Sequence, residues 1–182
     1  MDKIKSKPGL LKHFNASSDD VRWYFEHLPR LVDDFPLDVA LAYVFSQVEQ
    51  AQVMALYCGV AKLHRADANV ARRAISSYRL KRADFRSKYE MIYGKSIPDP
   101  TARLLVYAEA VRDQVMHGKG ASDDDKRNAI AHVLAYAQEL NNLTDQLGGP
   151  RPFGDLRGFK GAGQALDKAT TQWVLKGMGF IA

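Results

Sequence analysis

The chain has 182 residues, of which 46% are hydrophobic and 26% charged. That is long enough to bury a real core and too apolar for a disordered chain. The net charge of +5 admits an anionic partner such as a nucleic acid, and the single cysteine, Cys58, excludes an intrachain disulfide and argues against a structural zinc site.

Residues 1–15 carry Lys3, Lys5, Lys7 and Lys12 with Pro8-Gly9, and read as a flexible basic tail. Ser17-Ser18-Asp19-Asp20 is an N-cap with acidic residues behind it, so a short helix is expected from there to about Asp33, bent or ended by Pro29. Pro36 opens a long helix to about Arg65. Along it Leu37, Leu41, Val44, Val48, Ala51, Ala55 and Cys58 recur at spacings of four and three, a seam that calls for a partner helix. Gln47, Glu49, Gln50 and Gln52 interrupt this most apolar stretch, so no membrane span is expected. With no leader-like segment and one cysteine, the expected location is the cytoplasm.

Asp67 caps a third long helix, expected to end near Gly94, with Ala71, Ile75, Tyr78, Phe85 and Tyr89 on one face. Arg65, Arg72, Arg79 and Arg86 recur every seven residues beside that face. On a continuous helix they form a stripe about 30 Å long, suited to a nucleic-acid backbone or simply to solvent. Pro98-Asp99-Pro100 starts a fourth helix reaching His117, which Gly118 stops. Ser122-Asp123-Asp124-Asp125 starts a fifth, which ends at Gly148-Gly149-Pro150 and is expected to lie antiparallel to the fourth. Residues 150–182 are rich in glycine and aromatics, with one short helix near Gln164–Lys176 that must dock on the rest of the chain or on a partner. The expected fold is therefore all-α: an up-down helical bundle of four to five main helices at 16–149, preceded by the tail and followed by the Gly- and aromatic-rich C-terminal extension.

Metal and nucleophile patterns are missing from the sequence. There is no His-Glu-x-x-His and no cysteine pair, and Gly118-Lys119-Gly120 lacks the rest of a phosphate-binding loop. No metal or cofactor is expected. What stands out is Arg followed by His five residues on, which occurs three times: Arg22–His27, Arg112–His117 and Arg127–His132. The first lies among Trp23, Tyr24 and Phe25 and reads as helix surface. The third lies within an apolar helix beside Ala131, Val133 and Leu134 and reads as a core or interface histidine, with a catalytic role as the alternative. Arg112–His117 ends a helix, with Asp113 one turn before His117 and a glycine stop after it. A helix C-terminus favours imidazolium, and Asp113 is spaced to orient it.

Arg112-Asp113-Gln114-Val115-Met116-His117 resembles the hallmark of the HEPN superfamily, helical-bundle proteins that include metal-independent ribonucleases. The resemblance spans roughly 37–147 and implies a homodimer in which two Arg-His pairs share a cleft. It implies RNA cleavage by 2′-OH transesterification, with His117 as general acid or base, Arg112 on the phosphoryl oxygens and Asp113 positioning His117. Glu49 and Gln50, polar within a mostly apolar helix, are secondary candidates that either face the same cleft or lie exposed, and Arg65, Arg72, Arg79, Arg86 and Lys119 are candidate RNA contacts. The resemblance further suggests a toxin or phage-defence effector, partnered by an antitoxin or a nucleotidyltransferase. The alternative is an inactive HEPN-like dimeric module that binds nucleic acid, nucleotide or a partner protein.

Overall fold

The computed structural model describes residues 3–78, 80 and 82–180, and these are all-helical. In chain order the helices are α1 (Lys7–Asn15), α2 (Asp19–Tyr24), α3 (Leu28–Asp34), α4 (Leu37–Leu63), α5 (Ala68–Ser77), α6 (Arg82–Tyr93), α7 (Asp99–Met116), α8 (Asp123–Gln146) and α9 (Lys168–Gly177). They group into two compact units. One holds 1–49, 98–140 and 153–155, and the other holds 50–97, 141–152 and 156–182.

In the first unit the expected basic tail is a helix. Ser6 Oγ accepts the Gly9 N–H, and Pro8 occupies the first turn, where a missing N–H costs nothing. Leu10 is fully buried and Phe14 nearly so, and α1 packs on α3. The lysines had masked this: the apolar pair one turn apart faces inward while Lys7 and Lys12 face out. Backbone ties reach beyond the helix, since the Ile4 N–H donates to Asn128 Oδ1 at 2.9 Å. Ser18 caps α2 as expected, but the helix stops at Tyr24 and Pro29 lies in the first turn of a separate α3. Phe25, in the break, is fully buried against Tyr24 and Phe153. The core of this unit joins these rings to Val21, Leu28, Val32, Leu41, Val44 and Tyr136.

In the second unit Tyr89 and Tyr93 of α6 stack with centroids 4.3 Å apart. The Tyr93 hydroxyl donates to the Ala55 carbonyl at 2.7 Å, and Tyr89 bonds Thr144 at 3.0 Å. Gly59 lets α6 come close, because a Cβ there would meet Ile92 Cγ2 at 2.6 Å. Gly59→Ala is therefore expected to destabilise this unit by about 1–3 kcal/mol, since overpacking outweighs the gain in helix propensity. A chemical denaturation series checks this. Cys58 is fully buried, and burial pushes its thiol pKa up to about 12, so it is the inert core residue its apolar setting suggests. All seven residues of the α4 seam are buried.

The expected third long helix is broken in two. The Ser77 hydroxyl donates to the Ala74 carbonyl and Tyr78 turns extended, which ends α5. Tyr78 there packs its ring against Phe180, 5.3 Å between centroids, and its hydroxyl on Asp84. The C-terminal segment closes on the same unit: α9 packs on α5, and the buried Thr171 hydroxyl accepts the Asp67 N–H at 2.9 Å. No helix among the described residues is long and apolar enough to cross a membrane.

Candidate active site

Arg112 and His117 lie at the end of α7 in the first unit. The helix ends in two reverse hydrogen bonds, Gly118 N–H to the Val115 carbonyl at 3.1 Å and Lys119 N–H to the Gln114 carbonyl at 3.0 Å. This is a Schellman closure, and it requires the φ of +67° that Gly118 adopts. His117 is thereby the C-cap, exposed and fixed in backbone direction, and Lys119 is exposed beyond it. A Cβ on Gly118 would meet nothing within 4 Å, so Gly118→Ala tests conformation alone. It is expected to cost about 1–2 kcal/mol, read as a lowered midpoint in urea.

The Arg112 side chain is only 13% exposed. Its guanidinium lies over the Phe45 ring of α4 at 4.7 Å, donates from Nε and Nη2 to Asp113 Oδ1 at 3.3 and 3.2 Å, and reaches Glu49 Oε1 from Nη1 at 3.4 Å. A ring face plus two carboxylates fixes the plane and direction of the fork. The structure thus brings together three of the residues expected in the site: Arg112, Asp113 and Glu49. Asp113, expected to orient the His117 imidazole, also accepts from Arg112 at Oδ1. Its neighbour in sequence offers a charged donor in reach, which a turn-to-turn spacing argument does not weigh. Phe45 escaped the sequence reading because an aromatic within an apolar helix carries no functional signal of its own.

The other two Arg–His pairs are engaged in local contacts of their own. Arg22 is tied to Asp19 and the Asn15 carbonyl, while His27 lies outside α2 and is exposed. Arg127 pairs with Asp124 and donates to the Ile4 carbonyl. The His132 ring lies against Tyr107, centroids 4.5 Å apart and tilted by 36°, and its Nδ1 is buried with no hydrogen-bond partner. Burial holds its pKa below the ordinary 6.5, partly opposed by a bond to the Leu104 backbone. The unfolded chain therefore binds the proton more readily. His132 contributes stability that is fully present above about pH 6.5 and is lost as pH falls through the lower folded value. A His132→Gln variant should flatten the loss of thermal stability across that acidic window, followed by melting temperature against pH.

The arginine stripe does not form as expected, because the helix that would carry it is broken. Arg65 precedes α5 with φ +55° and donates to the Gln164 carbonyl and side chain at 2.8 and 3.2 Å, so it clamps the C-terminal loop. Arg72 is on α5 and lies over the Tyr57 ring at 5.5 Å. Arg86 is on α6 and donates to the Ile97 carbonyl. Arg79 lies outside the described residues. No group of three or more His, Cys, Asp and Glu among the described residues could hold a metal.

Comparison with models of protein families, with characterised proteins and with solved structures finds no match for this chain.

Proposed function

We propose that the chain is a metal-independent endoribonuclease of HEPN type, built on Arg112 and His117. One observation carries the reading: a guanidinium immobilised on Phe45 at the end of a helix whose next turn presents an exposed histidine. In this chemistry the ribose 2′-oxygen attacks the adjacent phosphorus, the P–O5′ bond breaks, and the products are a 2′,3′-cyclic phosphate and a 5′-hydroxyl. His117 takes the 2′-OH proton, and His117 of a second copy protonates the leaving 5′-oxygen. Arg112 stabilises charge on the non-bridging oxygens through a fork already oriented by its neighbours. Incubation with RNA in EDTA, followed by end-group mapping, tests this. Cyclic phosphate and 5′-hydroxyl ends support it; 5′-phosphate ends or a metal requirement sink it.

A second reading is the inactive module that binds nucleic acid, nucleotide or a partner protein. The pairing of Arg112 with both Asp113 and Glu49 favours it, because an anion would have to compete for the guanidinium. Intact RNA in the same assay at high protein concentration would select it. An effector role in toxin–antitoxin or phage defence, with an antitoxin or nucleotidyltransferase partner, remains part of the proposal, as does a cytoplasmic location.

A further inference from the structure

The two units divide the charge unequally. The first has 11 Lys or Arg against 16 Asp or Glu, a net of −5, and the second has 15 against 5, a net of +10. The overall charge of +5 is the sum of a basic unit and an acidic one. The carboxylates of the basic unit do little to neutralise it. Asp67 and Asp167 cap α5 and α9, Asp145 pairs with Arg151, and Asp84 accepts from Tyr78.

The cations gather around the end of α4. Arg72 lies over Tyr57, and Tyr57 packs on Phe159, the neighbour of Lys160. Lys62 and Arg72 both act on the buried Cys58. The glycine-rich loop 158–164 is laid across this point by the Ala162 N–H on the Ala61 carbonyl at 3.1 Å and by the Arg65 clamp on Gln164. Lys62, Arg72, Arg73 and Lys160 are exposed and hold no ion pair among the described residues. Two residues past Thr171, which bonds Asp67, stands Trp173. It is 80% exposed, with Lys176 one turn on. An indole left in water on a strongly basic unit has no folding role, and its flat face suits a nucleobase.

We infer that the second unit binds a single RNA strand, its phosphates on Lys62, Arg72, Arg73 and Lys160 and a base stacked on Trp173. The identity of the polyanion as RNA rests on the proposed function; the surface itself needs no catalysis. Charge alone would suit an anionic membrane as well, but the arginines, aromatics and glycine-rich backbone loop together favour a phosphodiester strand.

The test uses the full chain and a fluorescent 2′-O-methyl oligoribonucleotide of about 16 nucleotides, near the upper end of single-strand site sizes, which lacks the 2′-OH nucleophile and so is bound without being cut. Anisotropy should give an affinity that falls steeply with NaCl. A Lys62→Gln/Arg72→Gln/Arg73→Gln/Lys160→Gln variant should lose at least about tenfold and flatten the log–log salt slope by about 3. Trp173→Ala, at a site too exposed to unfold the protein, should lose about tenfold with the slope kept. Unchanged affinity in either variant overturns the inference, as does binding to phosphatidylserine vesicles without binding to the oligonucleotide. Binding without cleavage of unmodified RNA supports the inference and removes the nuclease. Cleavage with no effect of the surface variants does the reverse.

Discussion

His117→Ala is expected to lower RNA cleavage in EDTA by at least about a hundredfold, the usual scale for a lost general acid or base. His117 is exposed at a helix end, so its removal takes no packing with it and the fold should be unchanged by circular dichroism. Arg112→Lys makes the complementary case. It keeps the charge over Phe45 but loses the planar fork that reaches Asp113 and Glu49 together. Cleavage should drop at least about tenfold, mainly in kcat, because the fork is asked to hold the transition state rather than the ground state. In a dimer that needs His117 from both copies, subunit exchange with excess His117→Ala should depress the activity of the wild-type chain below simple dilution. Cleavage by His117→Ala at the wild-type rate would remove Arg112–His117 as the active pair.

Leu10→Ala is expected to destabilise the first unit by about 2–5 kcal/mol, as for other fully buried leucines. The measurement is hydrogen exchange, which should show α1 and its packing neighbour α3 opening together. Exchange is preferable to a single melting temperature because two compact units need not unfold as one. A flexible tail would give no change at all, so protection equal to wild type would return residues 1–15 to that description.

Where the sequence spoke clearly, it did so through local chemistry. Ser18 and Asp67 cap the helices that follow them, and Gly118 and Gly148 close those that precede them, each at positive φ. These signals act over four or five residues and need no tertiary partner. The α4 seam was equally legible, since its spacing reports which face must be buried. Arg112 and His117 could be singled out for the same reason: a capped end is a local event. Phe45 and the bonding of Asp113 to Arg112 were not, because both depend on which helix lies alongside.

By itself the sequence determined an all-helical chain, the ends of its long helices and the backbone direction of His117. Caps, glycines and apolar spacing carry that much at short range. Tertiary structure decided the rest. It made α1 a packed helix despite four lysines near it, because Leu10 and Phe14 find a core. It broke the third long helix at Tyr78, because the ring packs on Phe180 about a hundred residues away. It also sorted the charges, leaving one unit at −5 and the other at +10. Charge is additive along a chain, but a surface potential depends on which segments fold together, and segments 50–97 and 156–182 do so here.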